Sequence, residues 1–226
     1  MALSDLLSLS QAKKIGVSEE RVDPIIPVMS KYVAFWRYYP DLFIDFLQVG
    51  SEGGEVPQEG FHFYFYQRVF LRACLRYRYT YFTFTRGYSK SFMTVLSLII
   101  KCILYPGIKL FVTSGGKEQS ASIIKDKVDE LCRLIPALGR EIDWRPGKTR
   151  VGKDKVTYLF KNGSGFDNIA ASERSRGLRR QGGVMEECVG IDGDILSQVI
   201  IPIMNVSRRA PDGIRHEEEP TNKFQT

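Results

Sequence analysis

The chain has 226 residues, enough to bury a full core without disulfide or metal staples, and its 43% hydrophobic and 26% charged residues exclude a disordered or fibrous protein. The net charge of +6 is unevenly spread: residues 1–60 carry 5 Lys/Arg against 9 Asp/Glu, and residues 61–226 carry 27 against 17. An acidic arm thus precedes a basic body, a balance that suits phosphate-bearing partners. Four scattered cysteines (Cys74, Cys102, Cys132, Cys188) form no CxxC pair, and only 2 histidines accompany them, which argues against a zinc site or a disulfide framework. The N-terminus has no basic segment ahead of its apolar residues, and the longest apolar run, Phe92–Tyr105, is broken by Lys101 and too short to span a bilayer. A soluble intracellular protein without membrane contact is expected.

In chain order, Val28–Tyr38 and Pro40–Leu47 show apolar residues at helical spacing, with Pro40 suited to a helix start. Ser51–Gly60 (SEGGEVPQEG) reads as a loop dividing arm from body. Tyr66–Arg78 predicts a helix with Phe70, Leu71, Cys74 and Leu75 on one face and Arg68, Arg72 and Arg76 on another. Tyr79–Thr85 (YTYFTFT) predicts a strand, followed by a short polar turn and an apolar helix over Phe92–Leu104. Lys109–Thr113 predicts a buried strand, Glu118–Ile135 a long amphipathic helix, and Val156–Phe160 with Phe166–Ala171 a hairpin about Lys161–Gly165. Gly183–Met185 is a short apolar step ending in two glutamates, Ile195–Met204 a further apolar segment, and 216–226 a polar tail or the start of a linker. Strands alternating with helices predict an α/β fold with a mostly parallel central sheet flanked by helices.

Thr85-Arg86-Gly87-Tyr88-Ser89-Lys90-Ser91 lies between a predicted strand and a predicted helix, the context a phosphate-binding loop requires. Such a loop aims backbone N–H groups at a phosphate, and the helix behind it adds the positive end of its dipole. Lys90 would reach the β- and γ-phosphates, and the Ser91 hydroxyl would coordinate Mg²⁺. The match to GxxxxGK[ST] is imperfect: Ser89 replaces the second glycine and Phe84 stands where the first would be. Downstream, Glu186 and Glu187 end the short apolar strand Gly183–Met185, one placed to hold Mg²⁺ and the other to orient or deprotonate a water. Between that loop and the glutamates, SERSRGLRR (Ser172–Arg180) holds four arginines, open to three readings: a solvated turn, contacts to nucleic-acid phosphates, or an arginine finger for a neighbouring subunit.

Together these residues resemble the ATPase domain of the large terminase subunit, the DNA-packaging motor of tailed bacteriophages. TRGYSKS keeps the Arg86, Lys90 and Ser91 of that family's deviant Walker A loop and departs from it at Ser89. Tyr66-Gln67 stands where the family has its adenine motif, LFVTSGGKEQS (Leu110–Ser120) is similar to helicase motif Ia, and Glu186 and Glu187 fall at the Walker B acid, normally Asp, and the catalytic Glu. The resemblance implies an additional-strand P-loop NTPase fold with a helical N-terminal arm (1–60), an ATPase domain (61–215), and ATP and Mg²⁺ as ligands. It implies Arg86 at the γ-phosphate and Arg176 as the finger in trans. Its implied partners are double-stranded DNA, a homo-oligomeric ring, a portal protein and a small terminase subunit, in the cytoplasm of a bacterial host. No coupling segment or nuclease domain follows before Thr226, so the sequence is expected to be the N-terminal part of a longer subunit, or a truncated one. The alternatives are a nucleic-acid-binding module with a degenerate, inactive loop, and a helicase-like nucleic-acid ATPase.

Overall fold

Apolar runs too continuous for a surface element set the centre of this fold. The computed structural model describes residues 25–49, 60–209, 215–216 and 224–225. The helices are α1 (Ile25–Tyr38), α2 (Pro40–Gln48), α3 (Phe65–Arg76), α4 (Lys90–Leu104), α5 (Lys117–Leu134), α6 (Pro136–Glu141), α7 (Gly193–Ile195) and α8 (Ile201–Ile203), the last two joined by a π-helical stretch, Leu196–Ile200. The strands are β1 (Tyr79–Thr80), β2 (Lys109–Thr113), β3 (Arg150–Val151), β4 (Val156–Leu159), β5 (Gly165–Asn168), β6 (Gly182–Met185), β7 (Arg208–Arg209), β8 (Arg215–His216) and β9 (Phe224–Gln225). Among the described residues, seven of them form one sheet in the order β1-β9-β6-β2-β5-β4-β3. The first five run parallel, and β4 and β3 close one edge antiparallel.

The predicted α/β class and the hairpin at Lys161–Gly165 are present. Helix α4 is buried from Phe92 to Leu104, as its all-round apolarity demands. Alternate residues of β2 serve two cores: Leu110 and Val112 join the main cluster with α4, and Phe111 joins a second one with Met185, Val199 and Ile203. Gly183 of β6 is required at this crossing, because a Cβ there would stand 2.4 Å from the Phe111 ring.

Two predicted elements turn out differently. Only Tyr79–Thr80 of the expected strand Tyr79–Thr85 is paired, since its single neighbour, β9, is two residues long. The aromatic alternation beyond it serves helix packing instead, with the Phe82 and Phe84 rings 4.4 and 5.6 Å from Phe70. At the other end, Phe224–Gln225 is no tail: it is inserted between β1 and β6, parallel to both. Two residues in a polar stretch carry no periodicity from which a strand could be read. The remaining tail residues 217–223 and 226, the loop residues 51–59 and the first 24 residues lie outside the described ones.

The described part of the arm shares the main core through Val33, Trp36, Phe43 and Ile44. Arg68 and Arg72 of α3 grip the fully buried Asp41, with Arg68 Nη1 3.0 Å and Arg72 Nη2 2.8 Å from its Oδ2, and Arg68 also reaches Asp45 at 2.7 Å. Burial alone would raise the Asp41 pKa, but hydrogen bonds from Arg72 and Arg68 outweigh it and hold the carboxyl below its usual range. Part of the acidic arm's charge is therefore spent inside the chain, on the arginine face of α3. No described helix is long and apolar enough to cross a membrane.

Candidate functional site

The parallel strands deliver two chain segments to one end of the sheet. After β1 the chain turns through 85–89 into α4, and after β6 it passes through Glu186 and Glu187. Thr85 to Ser89 are all exposed. Gly87 has φ +89°, and Ser89 sits in the left-handed region at φ 51°, ψ 28°. The only other described non-glycine residue with positive φ is Glu187, at φ 53°. Backbone strain of this kind is thus collected on the two segments that face each other, a pattern typical of functional sites.

Ser89 is the N-cap residue of α4, yet its hydroxyl makes no capping bond. The first intrahelical hydrogen bond runs from Met93 N–H to Ser89 O at 2.9 Å. The N–H groups of Lys90, Ser91 and Phe92 are left without helical acceptors, and no acidic side chain occupies the first turn. The result is an uncapped, positive helix end beneath a glycine-containing turn, ready for an anion. The Ser91 hydroxyl is half-buried and makes no hydrogen bond among the described residues.

Across from it, Lys90 Nζ lies 3.3 Å from Glu186 Oε2. Glu186 is only 5% exposed, its second oxygen, Oε1, is buried without a hydrogen-bond partner, and its backbone N–H is fixed to Thr113 O of β2 at 2.8 Å. Glu187 is exposed, and its carboxylate has no partner among the described residues. Lys90, Glu186 and Glu187 line one cleft of about 180 Å³, closed on its apolar side by Phe70 and Phe84. The aromatic wall and Thr94, whose hydroxyl donates to Lys90 O at 2.8 Å, escape a reading of local motifs because they reach the cleft only through packing.

The other expected site residues are placed as follows. Arg86 is exposed and unpaired among the described residues, on the same loop. Gln67 is 3% exposed, and its Oε1 accepts the Tyr64 N–H at 2.9 Å, so its carbonyl end caps α3. Tyr88 packs on Tyr66, ring centroids 5.4 Å apart. Arg176 is not brought to the cleft: it is held by Glu173 at 2.8 and 3.0 Å, and lines a separate cavity of about 520 Å³ with Arg179 and Arg209. Arg180 is committed to Asp167 at 3.0 and 2.6 Å, so the four arginines of SERSRGLRR do not form one patch of free charge.

No family model matches the sequence, and no curated protein matches it. Solved structures do. The HK97 bacteriophage large terminase superposes with a TM-score of 0.58 at 12% identity, covering 84% of this chain and 37% of that one. The Thermus phage P74-26 large terminase ATPase domain gives a TM-score of 0.50 at 14% identity, covering 73% of this chain and 81% of that one. At such identities the likeness is one of fold: this chain has the P-loop NTPase fold of the terminase ATPase domains, and it covers little more than a third of the length of the HK97 protein.

Proposed function

We propose that the chain is the ATPase part of a DNA-packaging motor, hydrolysing ATP with Mg²⁺ to move double-stranded DNA. The observation that carries the proposal is the uncapped start of α4 with Lys90 facing the buried Glu186 across one cleft. Lys90 and the N–H groups of the first turn would bind the β- and γ-phosphates, with Thr85 to Ser89 wrapping them. The triphosphate would draw Lys90 away from Glu186 and leave that carboxylate free.

The residues present fit Mg²⁺. Among the described residues no three His, Cys, Asp or Glu side chains cluster as a metal cage, but Mg²⁺ is usually held by one or two carboxylates, phosphates and water. Glu186, with an unsatisfied buried oxygen, and the Ser91 hydroxyl would hold it. When bound it supplies charge neutralisation across the β- and γ-phosphates. Glu187, exposed on the cleft wall, would take a proton from the attacking water as the Pγ–O bond to ADP breaks. Arg86 would steady the γ-phosphate, and Arg176, remote from its own cleft, would serve a neighbour's site in a ring once released from Glu173. Residues 61–215 then form the ATPase unit, with portal protein, small terminase subunit and the host cytoplasm as its working context.

Lys90→Ala is expected to abolish ATP binding and hydrolysis, and Glu187→Gln to keep binding and lose turnover. Wild-type turnover in the glutamine variant would remove Glu187 from its role. The inactive-module alternative predicts no melting shift with ATP and Mg²⁺, whereas a competent site gives about 2.7 kcal/mol of stabilisation at ligand one hundred times Kd.

A further inference from the structure

We infer that the cavity beside Arg179 and Arg209 is a second ligand site, separate from the triphosphate cleft and built for a small organophosphate about the size of a nucleoside monophosphate. It lies on the other face of the sheet. Its buried floor, Val199 and Ile203, belongs to the core cluster of Phe111 and Met185, whereas α4 packs on the cluster of Leu110 and Val112. Its volume is about 520 Å³, against about 180 Å³ for the cleft. A hollow of that size with an apolar floor and a few polar groups on its wall is the common form of a small-molecule site.

Two pairs of adjacent arginines frame the hollow, and each pair divides its work in the same way. Arg180 is anchored, its side chain to Asp167 at 3.0 and 2.6 Å and its N–H to Ile203 O at 3.0 Å. Arg208 is buried and donates from Nη1 to Pro106 O. The other member of each pair, Arg179 and Arg209, is exposed, lines the cavity and has no side-chain partner among the described residues. Anchored neighbours thus hold two free guanidiniums at one hollow, a like-charge arrangement that an anion relieves. Arg176 also lines it, with its charge offset by Glu173. A guanidinium fork matches phosphate oxygens two at a time. Gln198, Asn205 and Ser207 add neutral donors and acceptors to the wall. Gln198 stands on the π-helical stretch, an irregularity that is frequent at functional sites. The arginines would take the phosphate, and the apolar floor the body of the ligand. A DNA duplex could meet the rim arginines, but it is too wide to fill the hollow or touch its floor.

Equilibrium binding of AMP, ribose 5-phosphate and inorganic phosphate to the full chain tests this, in a Lys90→Ala background that removes the lysine of the cleft. AMP is expected to bind at least about tenfold more tightly than inorganic phosphate, with ribose 5-phosphate between them. Arg179→Gln and Arg209→Gln, both at exposed positions, should each weaken AMP by about ten- to hundredfold, the scale of a lost charged hydrogen bond. Arg179→Lys keeps the charge without the fork and should recover only part of that loss. No binding of AMP, equal affinity for AMP and inorganic phosphate, or no effect of either glutamine variant overturns the inference. So does a short DNA duplex that binds through these arginines where AMP does not. None of these results bears on the triphosphate cleft, which Lys90 and Glu187 test separately.

Discussion

Replacing Ser89 by glycine should stabilise the protein, although the substitution removes a side chain from a helix cap. Ser89 is held at φ 51°, ψ 28°, where an L-residue carries roughly 1–2 kcal/mol of steric strain that glycine does not. Glycine in turn adds about 0.4–1 kcal/mol of unfolded-state entropy. The serine hydroxyl makes no capping bond whose loss would enter the balance. The net gain is therefore about 0.5–1 kcal/mol, which for a chain of this length raises Tm by roughly 1–4 °C. Urea midpoints for Ser89→Gly, Ser89→Asn and Ser89→Ala separate the contributions. Alanine keeps the strain and should change stability by less than about 0.5 kcal/mol. Asparagine, which tolerates the left-handed region, should fall between alanine and glycine. A destabilised glycine variant, or an alanine variant as stable as the glycine one, would refute the strain argument and with it the loop geometry at the head of α4.

Two further substitutions test the frame around the site. Asp41→Ala should cost about 3–5 kcal/mol by urea unfolding, because it leaves the Arg68 and Arg72 guanidiniums without their buried carboxylate. The Asp41 pKa is lowered in the fold, so this contribution is present above the ordinary carboxylate pKa and fades as pH falls through the folded value; a deficit unchanged at low pH would contradict it. Lys101, 3% exposed in α4, is pushed down to about 8 by burial. Its folded pKa is depressed from 10.5, so the unfolded state holds its proton longer and the penalty is complete below pH 8 and gone above 10.5. Lys101→Met should therefore be more stable than wild type by up to about 3 kcal/mol at pH 7, with the advantage shrinking from pH 8 to 10.5. The difference between the two proteins is the quantity to follow, because Cys102, pushed up to about 12, titrates in both. A constant difference across that range would contradict the assignment.

The elements with their own physical signature were legible in the chain itself. The length and apolarity of Phe92–Leu104 dictate a buried helix, the five residues Lys109–Thr113 a buried strand, and Lys161–Gly165 a turn, because each signal is carried by neighbouring residues. The candidate residues Lys90, Glu186 and Glu187 stood out in the same way, as residue types next to strand and helix boundaries. Tertiary structure decided what depends on residues far apart. It placed β9 between the loop strand and the acid-bearing strand, across roughly 145 and 40 residues of sequence, and so completed the parallel run of the sheet with Phe224–Gln225 from a polar stretch. It set Lys90 against Glu186, 96 positions away, and spent the arginine face of α3 on Asp41. It also turned Gln67 toward its own helix start, which no motif could reveal, since a side chain's partner is chosen by whichever donor the fold leaves unsatisfied beside it.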